Sequence, residues 1–130
     1  MAPSNLEIVR ANSAAFSRCD ADAMLALYAP DAVVVDRRAV GWGEFRGRDA
    51  LHSYYQGIFD NADGLHEDLE VVAEHGGVIV ASCDLRVRIA GQPDADEVTF
   101  HYALRITLAD GLITSMDIHE DAREAVAEGS

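Results

Sequence analysis

A chain of 130 residues with 23 acidic and 10 basic side chains carries a formal net charge of -13, and 49% of its residues are hydrophobic. That length predicts one domain, over residues 1–130, with a substantial core. The charge argues against nucleic acid and anionic membranes as partners, because no stripe of Lys or Arg is present to neutralise phosphates. Without a signal-peptide pattern or an apolar run of membrane-spanning length, we expect a soluble cytoplasmic protein.

The first third of the chain is predicted to be helical. A capping box at residues 4–7 begins a helix that runs to about Ser17. Asp20 is a suitable N-cap for a second helix, whose apolar residues continue through Tyr28. Pro30 ends this helix, because proline has no amide hydrogen and disfavours helical geometry in the residue before it.

A short strand follows, and it ends on a carboxylate. Residues Val33 to Val35 favour an extended backbone, and Asp36 comes directly before Arg37 and Arg38. A carboxylate at the tip of an apolar strand can be partly desolvated and serve as a base. The alternative is that Asp36 caps the strand and pairs with one of the two arginines in water.

The segment from 41 to 59 combines a glycine-rich loop with a helix. Trp42 and Phe45 lie among three glycines, which suits either a flexible rim over a pocket or a hydrophobic plug on the core. Residues 48–59 show the strongest helical periodicity in the chain. Its apolar positions are Leu51, Tyr54, Tyr55, Ile58 and Phe59.

The rest of the chain has the period of strands. We predict strands at residues 65–74, 77–90, 97–109 and 112–119, joined by short turns into an antiparallel meander. One face of this meander is apolar and should pack on the helices. The other face carries mixed charges that pair across strands, and we predict that it forms a homodimer interface. The acidic end, residues 120–130, is predicted to be a short exposed helix with a frayed tail.

This order of elements predicts an α+β fold. A strongly curved, mostly antiparallel sheet wrapped around three helices gives a cone-shaped molecule with an internal pocket between the apolar sheet face and the helix that carries Tyr54 and Tyr55.

Four short motifs in this order resemble the nuclear-transport-factor-2-like superfamily and, within it, the SnoaL-like and ketosteroid-isomerase-like proteins. They are Asp20, the run Tyr28-Ala29-x-Asp31-Ala32-x-x-x-Asp36, the helix start Gly47-Arg48-x-Ala50-Leu51 with Tyr55 further on, and Asp110-Gly111-x-Ile113. The similarity covers nearly the whole chain.

The resemblance implies roles for several residues. Asp36 matches the general base that moves a proton next to a carbonyl in ketosteroid isomerases, and Tyr28 and Tyr55 match tyrosines that support the oxyanion hole. Asn12 stands where those enzymes place a donating tyrosine, and Leu104 stands at or near their protonated aspartic acid. Without those donors an enolate loses about 3 kcal/mol of stabilisation for each strong donor, which argues against steroid isomerisation.

The last strand also differs from the pattern of related enzymes. Met116 and Ile118 stand at positions where resembling epoxide hydrolases have an inward-facing acid, which argues against epoxide hydrolysis. The fold hosts many functions, so the resemblance identifies a site without identifying a reaction.

Two hypotheses therefore remain. In the first, a small apolar molecule, polyketide-like or steroid-like, undergoes isomerisation, cyclisation or dehydration without cofactor or metal, with Asp36 as base and Tyr28, Tyr55 or Asn12 on the oxygen. In the second, the fold is a non-catalytic ligand-binding or dimerisation module. An Asp36 carboxylate that points into the cavity free of arginine favours the enzyme, and one held at the surface in a bidentate ion pair favours the binder. The predicted substrate-binding residues are Phe16, Trp42, Phe45, Tyr54, Phe59, Tyr102, Leu104, Met116 and Ile118.

Overall fold

The computed structural model describes residues 3–39, 41, 43–91 and 97–127. Its elements, in chain order, are α1 (Asn5–Ser17), α2 (Ala21–Leu25), β1 (Tyr28–Asp36), β2 (Gly43–Arg46), α3 (Arg48–Asp60), β3 (Ala62–His75), β4 (Val78–Ile89), β5 (Val98–Ala109), β6 (Leu112–His119) and α4 (Ala122–Ala127). No helix in these ranges has the length and apolar character required to span a bilayer.

All six strands form one curved mixed sheet in the order β2-β1-β6-β5-β4-β3. The predicted meander of β3 to β6 is confirmed, because each of these strands pairs antiparallel with the next. Strand β1 joins it from a distant part of the sequence and runs parallel to β6. The α+β cone predicted from the order of elements is confirmed, and the parallel β1–β6 pair is an addition that local patterns did not indicate.

The two N-terminal helices begin where their caps predict. Ser4 Oγ accepts a hydrogen bond from the Glu7 amide at 3.1 Å, and Asp20 Oδ1 accepts one from the Ala23 amide at 3.0 Å. The second helix ends at Leu25, so the prediction that it continues through Tyr28 is wrong.

Tyr28 is instead the first residue of β1, and two long-range contacts hold it there. Its carbonyl oxygen accepts a hydrogen bond from Arg48 Nη2 at 2.6 Å, and it is registered against Ile113 of β6. These tertiary contacts override the helical spacing of the apolar residues before Pro30. As a result, the Tyr28 ring enters the core from the sheet rather than from a helix.

The segment predicted as a loop rim contains the edge strand β2. It pairs antiparallel with β1, with Val34 opposite Phe45. The Phe45 ring stacks on Tyr54 of α3, with centroids 4.4 Å apart, which agrees with the hydrophobic-plug interpretation. Trp42 lies outside the described residues.

Helix α4 is the predicted short terminal helix and is largely exposed, but one side of it covers part of the outer sheet face, which local patterns did not indicate. Ala125 is completely buried against Val80 and Ala103. The carbonyl of Ala125 accepts a hydrogen bond from Arg105 Nη1 at 2.9 Å. Small alanine side chains let the helix approach the sheet closely, and a cation at its C-terminal end suits the helix dipole.

Candidate functional site

Asp36, at the end of β1, is a buried carboxylate held by Arg38. Its side chain is 1% exposed, and that of Arg38 is 22% exposed. Arg38 Nε donates to Oδ1 at 2.8 Å and Nη2 donates to Oδ2 at 2.6 Å, so the pair is bidentate. These hydrogen bonds are the largest cause that raises the pKa of the Arg38 guanidinium. The arrangement fixes the carboxylate and favours its ionised form.

This geometry combines features of both interpretations of Asp36. The ion pair with an arginine is present, but it lies inside the protein rather than in water. Arg37 makes a different bond, from Nε to Asp117 Oδ1 at 2.8 Å, and that pair is more exposed. Of these two arginines, Arg37 is exposed and Arg38 is the one whose side chain extends into the interior.

A pair of tyrosines forms the second polar feature of the core. The hydroxyl oxygens of Tyr28 and Tyr55 are 2.9 Å apart, and the Tyr55 hydroxyl also lies 4.0 Å from Met116 Sδ. Burial is the main cause that raises the pKa of both phenols, so both stay protonated. The two hydroxyl groups carry two protons. One forms the hydrogen bond between the tyrosines, and the other has only the Met116 thioether, a weak acceptor. The pair can therefore donate to a ligand oxygen.

Asn12 of α1 completes this cluster. Its side chain hydrogen-bonds to Tyr28, and the residue is 5% exposed. Within the described part of the chain, the buried Asn12 Oδ1 has no hydrogen-bond partner. A buried acceptor without a partner costs about 1–3 kcal/mol, and a ligand that donates to it would recover that cost.

A second buried carboxylate, Glu67 of β3, was not identified from the sequence. Ser13 Oγ donates to its Oε1 at 2.7 Å, and the Tyr102 hydroxyl donates to its Oε2. Burial is the largest influence on Glu67 and raises its pKa, while the two hydroxyl donors partly oppose that rise. The inward positions of β3 read Leu65, Glu67, Leu69, Val71, so an acid inside an apolar alternation was the available signal.

Tyr102 of β5 lies between the two carboxylate systems. Arg38 Cζ is 5.8 Å from the centre of its ring, and its hydroxyl contacts Glu67. Burial, followed by the charge of Glu67, holds the pKa of Tyr102 well above its usual range. This phenol is therefore a proton donor and not a base.

Aromatic rings connect Asp36 with the tyrosine pair. The pKa of Tyr54 is raised to about 12, first by burial and then by the charge of Asp36, and its ring lies 5.1 Å from that of Tyr55. Phe16 contacts Tyr55 edge-on at 6.2 Å and Phe59 at 5.6 Å. The structure thus brings the sequence-predicted residues into one core, with Trp42 outside the described ranges. Those in the core, buried or packed against it, include Phe16, Phe45, Tyr54, Phe59, Tyr102, Leu104, Met116 and Ile118.

A surface groove between α1 and β3 reaches this core from outside. Its volume is about 460 Å³. Ser13 and Glu67 contribute to its lining, and Arg10, Arg18 and His66 are exposed around it. Glu67 therefore lies at the boundary between the buried core and this groove.

Comparison with known proteins gives the chain a family. The SnoaL-like domain matches residues 9–116. The chain belongs to the SnoaL-like domain family. In the search of curated proteins, none matched this SnoaL-like chain.

Solved structures agree with this family. A putative polyketide cyclase from Xanthomonas campestris is 27% identical, covers 97% of this chain and 96% of its own, and has a TM-score of 0.72. A ketosteroid-isomerase-like fold from Catenulispora acidiphila, in complex with trimethylamine, is 21% identical with a TM-score of 0.76, over 94% and 91% of the two chains.

An epoxide hydrolase/cyclase-like enzyme of pyran ring formation in the polyether salinomycin is 19% identical with a TM-score of 0.75, over 88% of each chain. The resemblance to ketosteroid-isomerase-like and nuclear-transport-factor-2-like proteins is therefore confirmed at the level of the fold.

Proposed function

We propose that this SnoaL-like protein binds a small, mostly apolar molecule in its core and moves a proton next to a carbonyl group of that molecule. The observation that carries the proposal is the buried Asn12 oxygen without a partner beside the Tyr28 and Tyr55 hydroxyls. A buried acceptor of this kind is normally paired with protein, water or a ligand, so this one is available to a ligand. A carbonyl or enolate oxygen of the ligand can accept from the tyrosine pair, and a ligand hydroxyl group can donate to the Asn12 oxygen.

Asp36 is the base in this proposal. A base has to be ionised before it accepts a proton, and the Arg38 guanidinium favours that form. The charge of Asp36 contributes to the raised pKa of Tyr54, whose ring adjoins that of Tyr55, which supports a base close to the oxygen-binding groups. Abstraction of a proton next to the carbonyl would then produce an enolate at the tyrosine pair.

The lining of the core indicates the substrate class. Phe16, Phe59, Leu104, Met116 and Ile118 are apolar and buried, and the polar groups are few. Such a lining suits a fused-ring or polyketide-like skeleton with a few oxygens. None of the roles assigned to these residues requires a cofactor, so the reaction classes are isomerisation, cyclisation or dehydration by acid and base alone.

A second candidate function is ligand binding without chemistry. The specific observation in its favour is the bidentate ion pair, because Arg38 contacts both oxygens of Asp36. In this alternative, Asp36 serves to position Arg38, and the Asn12 and tyrosine groups bind a ligand that is never converted.

Proton exchange on a simple ketone tests the proposal without knowledge of the natural substrate. We expect the protein to accelerate deuterium incorporation next to the carbonyl of α-tetralone in deuterated water, followed by proton NMR. Asp36→Asn should reduce this rate by about a hundredfold or more. The matched control is Asp22→Asn, which removes an exposed carboxylate on α2 that lies 3.4 Å from His52 and away from the outer sheet face.

The same samples separate the two candidates. If the ketone binds to wild type, measured by ligand-observed NMR, and no exchange occurs, the binder is correct. If Asp36→Asn melts at a lower temperature and exchange is unchanged, Asp36 is structural and the proposal is wrong.

We also propose a homodimer through the outer sheet face. Asp84, Arg86, Arg88 and His101 are exposed there, whereas α4 covers the part of that face near Arg105. The proposed interface is therefore the part of the face built by β3, β4 and the start of β5. Sedimentation of a monomer at micromolar concentration and moderate salt would refute it, and a dimer that is insensitive to salt would assign it to apolar contacts instead.

A further inference from the structure

Tyr102 has two neighbours that no role assigned so far requires. Its ring lies under Arg38, which holds Asp36, and its hydroxyl donates to Glu67. The exposed fractions of Asp36, Glu67 and Tyr102 are all below one tenth. The phenol is therefore placed between a carboxylate held by a cation and a carboxylate held by hydroxyl groups.

Burying the Glu67 carboxyl group costs free energy that a purely structural role does not explain. Its side chain occupies an inward position of β3 between Leu65 and Leu69, where an apolar side chain would pack without the cost of desolvation. Two hydroxyl groups, Ser13 Oγ and Tyr102 Oη, are directed at its oxygens. Such a set can stabilise either protonation state, because hydroxyl groups both donate and accept.

Resting on the proposed function, we infer that Tyr102 protonates a leaving hydroxyl group of the substrate and that Glu67 resupplies its proton, so that the reaction is an elimination of water from a β-hydroxy carbonyl compound. An isomerisation needs one base, which returns the proton, and one oxygen site. An elimination also needs an acid at a second oxygen. The core contains two separate phenol systems, Tyr28 with Tyr55 and Tyr102 with Glu67, together with one base, Asp36.

The bonds and protons of this step balance. The Asp36 carboxylate takes the proton from the carbon next to the carbonyl, and that electron pair forms the new carbon–carbon double bond as the carbon–oxygen bond to the leaving hydroxyl breaks. Tyr102 gives its proton to the departing oxygen, which leaves as water, and receives a proton from Glu67. Asp36 then releases its proton to solvent, and Glu67 regains one.

Tyr102 is the catalytic residue in this scheme, and Glu67 is a positioning residue that acts through it. Glu67 starts the cycle protonated and Asp36 starts it ionised, which matches the hydroxyl partners of the first and the guanidinium partner of the second. Ser13 and Tyr102 can donate to the Glu67 carboxylate once it has released its proton. The α1–β3 groove, which Glu67 helps to line, supplies the proton that resets it.

The charged and titratable groups around Glu67 belong to every element that packs near it. They are Arg10 and Arg18 with α1, His66 and Asp68 on β3 itself, Cys83 and Asp84 on β4, Tyr102 on β5, Tyr28 on β1 and Tyr55 on α3. A control variant on the same strand separates the influence of these groups from that of Glu67.

The test compares two reactions of the same protein. One is deuterium exchange on α-tetralone, and the other is dehydration of the aldol of acetone and benzaldehyde to benzylideneacetone, followed by near-ultraviolet absorbance. Tyr102→Phe keeps the ring beneath Arg38 and removes the hydroxyl. We expect this variant to slow dehydration by about a hundredfold and to slow exchange much less, so that the ratio of the two rates falls about tenfold or more.

Glu67→Gln keeps the hydrogen-bonding shape and cannot ionise. We expect wild-type dehydration to decline as pH rises and Glu67 loses its proton, and this decline to be missing in Glu67→Gln, which works at a lower rate throughout. Glu70→Gln, on the exposed face of the same strand, is the matched control and should reproduce the wild-type profile.

Each other outcome overturns part of the inference. Equal slowing of both reactions by Tyr102→Phe would mean that Tyr102 acts at the carbonyl oxygen. Exchange without any dehydration in wild type would refute elimination and leave the proposed function intact, whereas the absence of both reactions would refute the two together.

A direct readout does not need a substrate. In protein labelled with carbon-13 on tyrosine, the Tyr102 ring carbon that bears the hydroxyl should shift as pH passes through the titration of Glu67. That shift should vanish in Glu67→Gln and persist in Glu70→Gln. A Tyr102 signal that follows no such titration in wild type would show that the two groups do not share a proton, and would overturn the relay.

Discussion

The two buried carboxylates of this core are held in opposite ways. Asp36 receives two hydrogen bonds from a guanidinium, and Glu67 receives its hydrogen bonds from two uncharged hydroxyl groups. A cation compensates a buried negative charge, whereas a hydroxyl group compensates only part of the lost hydration. Burial therefore raises the pKa of Glu67, and Arg38 favours the ionised form of Asp36.

The difference shows that burial alone does not assign a catalytic role to a carboxylate. In the proposed mechanism, two acids of similar exposure serve as a base and a proton reserve because their partners differ. Tyr102 contacts both partner systems, so substitutions on either side of it test this difference.

The largest effect on stability is expected from substitution of Asp36, whose carboxylate is held by Arg38. Asp36→Asn leaves Arg38 with a neutral partner, and breaking such a buried pair costs about 3 kcal/mol of the free energy of unfolding. This value is at the low end of the usual range because Arg38 keeps some contact with solvent. Urea denaturation of the variant measures it.

A double-mutant cycle with Arg38→Met sharpens this test. The double variant Asp36→Asn/Arg38→Met should lose less stability than the sum of the two single changes, because each single change leaves one polar partner unpaired. Strict additivity would mean that the ion pair contributes nothing, and the contrast with Glu67 would then disappear.

A smaller, pH-dependent effect on stability is expected from Glu67, whose carboxyl group is held by hydroxyl groups. Because burial raises the folded pKa of Glu67 above its unfolded value, the folded protein holds this proton more strongly. This contribution to stability is complete below the ordinary glutamate pKa and is lost as pH rises through the raised folded pKa. Each tenfold change in proton affinity corresponds to about 1.4 kcal/mol.

The measurement is the free energy of unfolding of wild type and Glu67→Gln across that pH range. Wild type should lose stability relative to the variant as pH rises, whereas Glu70→Gln should follow wild type. A difference that grows in the opposite direction would mean that Glu67 is ionised and stabilising, as Asp36 is.

Asn12→Leu tests whether the protein is less stable because it retains a buried hydrogen-bond acceptor for a ligand. The change removes the unpartnered amide oxygen and also the hydrogen bond to Tyr28, so the free energy of unfolding should rise by about 1 kcal/mol at most. Affinity for α-tetralone should fall in the same variant, as measured by ligand-observed NMR. Loss of stability with unchanged affinity would assign Asn12 to the fold.

The smallest effect is expected for a carboxylate on the exposed face. Asp84 pairs with His101 across β4 and β5 at 2.7 Å, and both side chains are more than half exposed. Asp84→Asn should change thermal stability by less than about 1 kcal/mol. A larger loss would show that partner type matters even in water, and would weaken the distinction drawn between buried and exposed acids.

Most of the site could be predicted from local patterns and family resemblance, and the missing part has a physical explanation. Asp36, Tyr28 and Tyr55 lie in motifs that the sequence displays directly. Glu67 belongs to no motif, and its significance depends on Ser13 and Tyr102, which are 54 and 35 residues away in the chain. A contact at such separation is created by the fold and leaves no local periodicity.

The elements that could be predicted correctly are those with short-range signals. These are the caps of α1 and α2, the apolar faces of α3 and of the meander, and the turns at 76–77 and 110–111, because each depends on residues a few positions apart. Long-range contacts, in contrast, make Tyr28 begin a strand, place α4 on the outer face and let Arg38 rather than Arg37 hold Asp36. Those outcomes depend on the parallel pairing of β1 with β6 and on packing between distant segments, where the free energy of burial and of long-range hydrogen bonds exceeds the local preferences of the chain.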